Sequence, residues 1–246
     1  ISAFNFKEVG FSKNKKSLNN ENGNFFCVLD EANGKIIKIP DREFLYGVVA
    51  VEMPARFEEE ALKAQAVACY TYFCRARSNF KNTGQKDKEY EFTVNTEKWI
   101  NYVTEEGMKI KWGNDFDKYY SKIKNAVDSV FGEVVEENGD LILAAYHAIS
   151  SGKTEKSADV FGGDLKYLTN VESPGDKLVA GYETHVEVTS NDFKNVLAGQ
   201  WNNCNFESDP STWVGNLSRT EGGMVREVNV CSHMAKGTEI RKIFAL

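Results

Sequence analysis

The sequence is short of basic charge, proline and long apolar runs, and each shortage excludes a class of protein. It has 30 Lys and Arg against 36 Asp and Glu, a net charge of −6 with no basic block, which argues against binding nucleic acid through phosphates. Only 4 prolines and 41% hydrophobic residues in 246 exclude a disordered chain. No apolar run approaches the ~20 residues that cross a bilayer, and no signal-peptide pattern opens the chain.

The cysteines and histidines lack the spacings of a metal site. No CxxC, HxxxH or HExxH pattern occurs, so no metal or cofactor is expected. The odd number of cysteines does not indicate a disulfide framework. Cys204 and Cys231 remain candidates for a disulfide bond in an oxidising compartment. Cys69 and Cys74 lie five apart on a predicted helix, about 140° apart around its axis, and are interpreted as small buried hydrophobes.

The first half of the chain predicts a hairpin followed by two helices. Residues 25–39 alternate around an Asn33-Gly34 turn, and Asp41 is a candidate N-cap for a helix that ends near Glu52, because Pro54 disfavours helix before it. The next helix begins with three glutamates and is apolar on nearly every face over 64–74, which predicts a buried central helix. Residues 78–98 are polar and predict a surface loop.

The second half predicts further hairpins and short helices. The patterns indicate a helix over 114–132, a hairpin over 133–145, a strand over 184–189, a helix capped by Ser190 or Asn191, a hairpin turning at Glu221-Gly222-Gly223 and a terminal helix capped by Thr238. The predicted class is α+β, with several mostly antiparallel hairpins around the central helix.

Two segments carry groups suited to catalysis. Glu52 follows small and branched apolar residues, so partial desolvation would raise its pKa toward that of a general acid; a helix-end carboxylate facing water is the alternative. In the second segment, 146–155, His147 could serve Ser150 or Ser151 as a base. The G-x-S-x-G turn that would support such a serine hydrolase is not present in the sequence.

These two segments also resemble the stage II sporulation protein D (SpoIID) family, which includes amidase-enhancer domains. The similar stretches are FLYGVVAVEMP at 44–54, EALKAQAVA at 60–68, YHAISSGKTE at 146–155 and VESPGD at 171–176, in the same order and spacing. Departures are Lys153 where a glycine is frequent, Tyr70 where an arginine is frequent, and residues 92–97 where some members carry a cysteine motif.

The resemblance implies a peptidoglycan lytic transglycosylase of endospore formation with two lobes around a substrate groove. The chain as a whole, 1–246, would then be one such module, with its active-site motifs in 41–77 and 132–176 and a possible inserted lobe in 78–131. The catalytic acid of the family falls on Glu52. A lytic transglycosylase needs no metal or cofactor, because its nucleophile belongs to the substrate.

The resemblance further implies which residues meet the sugars. Lys63 and Gln65 are expected to orient Glu52 or the sugar, and the second segment is expected to supply stacking and hydrogen bonds. The candidate substrate-binding residues are Lys63, Gln65, Tyr146, His147, Ser150, Ser151, Thr154 and Glu155. A structural role, such as capping or loop closure, is the alternative for each of them.

The expected partners are peptide-stripped glycan strands, a partner amidase and the membrane scaffold of the engulfment machinery. The expected location is the cell-wall side of the sporulation septum or engulfing membrane, with a membrane contact only through an N-terminal helix absent from this sequence. A non-catalytic glycan-binding module that activates an amidase remains the alternative function.

Overall fold

The fold was obtained as a computed structural model that describes residues 10–13, 24–82, 88–202 and 204–246. The chain divides into two compact units, one ending at His147 and one running from Ala148 to Leu246. Helices and three separate sheets contribute to the fold, so the predicted mixed α+β class is confirmed. Within the described residues, no helix is both long and apolar enough to span a membrane.

The first unit contains two sheets and four α-helices among its described residues. Its strands are β1 (Gly10–Lys13), β2 (Phe25–Asp30), β3 (Lys35–Pro40), β4 (Phe92–Val94), β5 (Glu133–Glu137) and β6 (Asp140–Leu141). Its helices are α1 (Asp41–Glu52), α2 (Glu59–Asn82), α3 (Glu105–Trp112) and α4 (Phe116–Val130). The sheet orders are β1-β5-β6 and β3-β2-β4, and among these described strand pairs β2–β4 is parallel and the others are antiparallel.

The core of the first unit is an aromatic cluster between α1, α2 and the β2 sheet. Phe44 and Phe73 meet edge to face with ring centroids 4.9 Å apart, and Phe26 and Phe92 pack against both rings. The central stretch of α2 is buried as its apolar pattern predicts, so that helix is the centre of this unit.

A buried ion pair fixes the beginning of α1 against α2. Arg77 donates to both Asp41 carboxylate oxygens at 2.6 and 3.0 Å and to the Phe25 carbonyl at 2.9 Å. Both charged side chains are largely buried, so their mutual bonds offset the cost of removing them from water. Asp41 therefore does not cap α1 as predicted: Pro40 holds the cap position, and no side-chain bond caps the helix.

The structure of the first unit differs from the sequence prediction at two places. Helix α2 continues to Asn82 instead of giving way to a loop at 78, and the segment interpreted as loop also contains strand β4. Helix α3 was not predicted because it is short and its buried residues are only Gly107 and Met108. The residues of the possible inserted lobe, 78–131, belong to the first unit wherever they are described.

The second unit has one sheet and three short α-helices among its described residues. The strands are β7 (Val214–Arg219), β8 (Val225–Val230) and β9 (His233–Lys236), in the antiparallel order β7-β8-β9. The helices are α5 (Ser157–Phe161), α6 (Ser190–Ala198) and α7 (Gly237–Ile243). The predicted hairpin around residues 221–223 is confirmed.

Three predictions for the second unit are wrong in detail. Residues 184–189 form no strand, because this short and exposed segment has no partner among the strands that the structure describes. Helix α6 is present, but Thr189 caps it by accepting from the Asp192 N–H at 3.1 Å. Thr238 lies inside α7, whose cap position is Lys236.

Gly47 allows α1 to approach the loop that precedes α3. A Cβ at this position would lie 2.3 Å from Tyr102 Cε2 and 2.4 Å from the Val103 carbonyl oxygen, so backbone would have to move. We expect Gly47→Ala to lower the thermal midpoint by roughly 5–10 °C, because overpacking of this kind costs ~1–3 kcal/mol or more. Gly163→Ala, at a position with open space, is the control and should leave the thermal midpoint unchanged. An unchanged midpoint in Gly47→Ala, measured by calorimetry, would contradict this packing.

Candidate functional site

Glu52 is the last residue of α1, and local sequence places it there. Met53 adopts an extended conformation with φ −135° and ψ 134°, as expected for a residue that precedes proline. The Lys111 ammonium from α3 donates to the Ala50 carbonyl at 2.8 Å and so satisfies one of the free carbonyls at the helix end. The predicted helix end is confirmed, and the Glu52 side chain keeps part of its surface open to solvent.

The Tyr146 hydroxyl reaches the Glu52 carboxyl from the segment that follows β6. The two side chains are hydrogen-bonded, and an ionised carboxylate can only accept, so the phenol is the donor. Burial raises the pKa of Glu52 above its ordinary value, while the bond from Tyr146 acts in the opposite direction. Burial also raises the pKa of Tyr146, and the nearby Cys69 and Glu52 add to that rise, so the phenol stays protonated.

Two residues of α2 continue this hydrogen-bonded chain into the core. The Gln65 Nε2 donates to the Cys69 Sγ at 3.2 Å, and the Cys69 Sγ lies 3.7 Å from the Tyr146 hydroxyl. Gln65 is 3% exposed, so its amide finds the partner that a buried amide requires. Burial raises the pKa of the Cys69 thiol to about 12, which keeps it neutral at physiological pH.

Lys63 lies nearer the start of α2 than Gln65 and is held by neighbouring acids. Its ammonium pairs with Glu59 at 2.8 Å and with Glu60 at 2.9 Å, within the first turns of the helix. The hydrogen bond that Lys63 donates to Glu59, followed by the one that it donates to Glu60, raises the pKa of Lys63 above its ordinary value. The structure thus groups Glu52, Gln65 and Tyr146 of the predicted residues and gives Lys63 two carboxylate partners of its own.

His147 and the remaining predicted residues follow Tyr146 directly in the chain. His147, half-buried, ends the first unit, and Ser150 to Glu155 begin the second. Within the second unit, Asp176 accepts from the Ser150 N–H at 2.8 Å and from the Ser150 hydroxyl at 2.5 Å. The Ser151 hydroxyl donates to the Gly222 carbonyl at 2.6 Å. Both hydroxyl protons therefore go to oxygen acceptors, which is not the arrangement of a serine nucleophile with a histidine base.

Thr154 and Glu155 connect this loop to the rest of the second unit. The buried Thr154 hydroxyl donates to the Thr169 carbonyl at 3.0 Å and accepts from the Val171 N–H at 2.8 Å. Glu155 Oε1 accepts from the Thr220 hydroxyl at 2.8 Å and from the Met224 N–H at 3.1 Å. The Glu155 bonds tie the 150–155 loop to the β7–β8 turn, and the Thr154 bonds tie it to residues 169–171.

Sequence analysis did not predict that Cys69 and Asp176 form hydrogen bonds with the candidate site residues. Cys69 was interpreted as a core hydrophobe, yet it lies four residues after Gln65, the spacing that brings two side chains together on one helix face. Asp176 belongs to the quoted 171–176 stretch, but nothing local indicated that its carboxylate binds Ser150. No group of three or more potential metal ligands occurs among the described residues.

Comparison with known proteins shows which sequences this chain resembles. Residues 30–136 match the family model SpoIID, described as Stage II sporulation protein. The chain is 31% identical over 216 residues to Stage II sporulation protein D of Bacillus subtilis and 30% identical over the same length to that of Bacillus amyloliquefaciens, in each case covering 87% of this chain. It is also 27% identical over 184 residues to a B. subtilis protein named Amidase enhancer, covering 75% of this chain and 21% of that protein.

The chain is similar to the SpoIID family over residues 30–136 and to Stage II sporulation protein D over 87% of its own length. It spans 60% of the length of the two Stage II sporulation protein D relatives. The matched residues 30–136 include Glu52, Gln65 and Cys69, whereas Tyr146 and the second-unit loop lie beyond the end of the family match.

Proposed function

We propose that the protein is a lytic transglycosylase that cleaves the bond between N-acetylmuramic acid and N-acetylglucosamine in peptide-stripped peptidoglycan. The observation that carries the proposal is the state of Glu52: a carboxyl whose pKa is raised by burial, with the Tyr146 hydroxyl as its hydrogen-bond donor. Within the described residues, no second carboxylate is among the groups that shift the pKa of Glu52. Hydrolytic glycosidases generally use two carboxylates, whereas a transglycosylase takes its nucleophile from the substrate.

Glu52 would serve as acid and then as base. The protonated carboxyl gives its proton to the glycosidic oxygen as the bond from that oxygen to the muramyl C1 breaks. The carboxylate that results accepts the proton of the muramyl C6 hydroxyl while its oxygen bonds to C1. The product ends in a 1,6-anhydro ring, no water is consumed, and Glu52 returns to its protonated state.

The Tyr146 hydroxyl favours the first of these steps. Its hydrogen bond to Glu52 strengthens as negative charge develops on the carboxylate, so it stabilises the transition state more than the protonated ground state. The raised pKa keeps a larger fraction of Glu52 protonated near neutral pH. Burial and the phenol therefore act on different stages of one reaction.

The family and its relatives support a role in the cell wall during sporulation. One relative is named Amidase enhancer, which supports an amidase as the partner of this chain. The other proposed partner is the membrane scaffold of the engulfment machinery. The proposed location of the protein is the cell-wall side of the sporulation septum or engulfing membrane.

The same relative's name favours a second function, that of a glycan-binding module that activates an amidase without cleaving glycan. Digestion of purified peptide-free glycan strands, followed by mass spectrometry, separates the two. The enzyme produces fragments with anhydro-muramyl ends, each one water lighter than the corresponding reducing end. Intact strands would support the binding module, and reducing ends would show a hydrolase; either result contradicts the transglycosylase.

The charge of the protein predicts a preference for peptide-free glycan. Stem peptides carry carboxylates, which the net charge of −6 repels, so binding must depend on stacking and hydrogen bonds to sugars. We expect initial cleavage of peptide-free strands to be at least about tenfold faster than that of intact peptidoglycan at low salt, and the ratio to shrink as salt screens the charges. Equal rates on both substrates, with no amidase present, would contradict this preference.

A further inference from the structure

The hydrogen-bonded chain that ends on Glu52 begins inside α2, on two side chains that cannot reach a substrate. Gln65 and Cys69 are 3% and 0% exposed, and each forms a polar contact that leads toward the site. A cysteine serving only as a small core hydrophobe would need no polar neighbour on either side. This one has an amide nitrogen at 3.2 Å and a phenol oxygen at 3.7 Å.

The direction of each bond in the chain follows from its two ends. The ionised Glu52 can only accept, so the single proton of the Tyr146 hydroxyl is directed to it. The phenol oxygen is then free to accept, and the neutral Cys69 thiol has one proton to give. The sulfur in turn accepts from the Gln65 amide, which cannot reverse its role at Nε2. All three bonds therefore run toward the carboxylate.

We propose that Cys69 is a positioning residue for Glu52: its thiol proton, supported by the Gln65 amide, holds the Tyr146 oxygen so that the phenol proton is aimed at the carboxylate. This proposal rests on the proposed function for its catalytic meaning, but the hydrogen-bonded chain itself exists whether or not glycan is cleaved. Bonds that point the same way polarise one another, so loss of the first weakens the last.

Three lysines on α2, α3 and α4 are engaged with other partners. Lys111 from α3 binds the Ala50 carbonyl, Lys122 from α4 binds the Phe57 carbonyl at 2.5 Å, and Lys63 from α2 pairs with Glu59 and Glu60. None of them is among the groups that shift the pKa of Glu52. A change at Cys69 can therefore be followed at Glu52 without interference from these cations.

The test is an NMR titration of the Glu52 carboxyl in the full chain, labelled with 13C-glutamate and assigned by comparison with Glu52→Gln. Cys69→Ala removes the thiol donor, and we expect the pKa of Glu52 to rise by roughly 0.2–0.5 unit, since polarisation along such a chain amounts to about 10–30% per bond. Cys69→Ser keeps a hydrogen-bond donor in a side chain close to alanine in size. In this variant the pKa of Glu52 should equal that in the unmodified protein. Cys74→Ala, at another buried cysteine of α2, is the packing control and should leave the pKa of Glu52 unchanged.

The double variant Tyr146→Phe with Cys69→Ala gives the decisive comparison. If Cys69 acts through the phenol, the pKa of Glu52 in the double variant equals that in Tyr146→Phe alone. Equal shifts in Cys69→Ala and Cys69→Ser, no shift in Cys69→Ala, or a shift that persists without the phenol hydroxyl would each overturn the proposal. If the expected titrations are found in a protein that cleaves no glycan, the proposed function fails and the positioning role stands.

Discussion

Glu52→Gln is expected to reduce the cleavage of peptide-free glycan by about a thousandfold or more. A positioned general acid contributes ~10²–10⁴-fold, and here the same group would also serve as the base. The glutamine amide can hydrogen-bond the sugar but cannot protonate the glycosidic oxygen. The measurement is the initial rate of appearance of anhydro-muramyl ends by mass spectrometry.

The fold should be unaffected by this substitution. Glu52 lies at a helix end with part of its surface exposed, and its replacement is of nearly equal volume. The thermal midpoint should stay constant or rise slightly, because a carboxylate whose pKa is raised by burial disfavours the folded state at neutral pH. Glu58→Gln, at an exposed carboxylate just before α2, is the control and should retain full activity. Activity close to that of the unmodified protein in Glu52→Gln would remove Glu52 from the mechanism.

Tyr146→Phe is expected to reduce activity and to shift its pH dependence at the same time. A hydrogen bond to a charged group contributes ~1.5–3 kcal/mol, which corresponds to about one to two pKa units. Without the phenol donor, the carboxylate form of Glu52 loses that stabilisation and the pKa of Glu52 rises further. Activity of the general acid is lost as pH rises through this pKa, so the basic limb of kcat/KM should move upward by about one to two units.

On the acid side of that limb, kcat/KM should fall by roughly 10–100-fold, since the developing carboxylate is no longer stabilised. A merely structural role would lower the rate without moving the limb. Tyr72→Phe is the matched control, because this half-exposed α2 tyrosine packs its ring on Phe73 and should change neither quantity. A Tyr146→Phe protein with a lower rate and an unmoved limb would show that the hydroxyl does not act on Glu52.

The sequence predicted those parts of the fold that local interactions decide. The β2–β3 hairpin follows from the Asn33-Gly34 turn, and the end of α1 follows from Pro54, because each is set by the conformational limits of residues within a few positions. The apolar stretch of α2 likewise predicted its burial. The strand expected over 184–189 is not found, because alternation marks a surface that can pair, and none of the described strands pairs with this segment.

For the candidate site, the sequence by itself determined that Glu52 ends a helix and made it the candidate acid, since the helix end and the apolar neighbours are local features. Only the tertiary structure decided what surrounds that carboxyl. Tyr146 lies 94 residues after Glu52 in the chain and 77 residues after Cys69, which it contacts. No local spacing rule therefore connects these three residues. Hydrogen bonds and desolvation act through space within a few ångströms, and the packing of α1, α2 and the segment after β6 creates the distances on which the acidity of Glu52 depends.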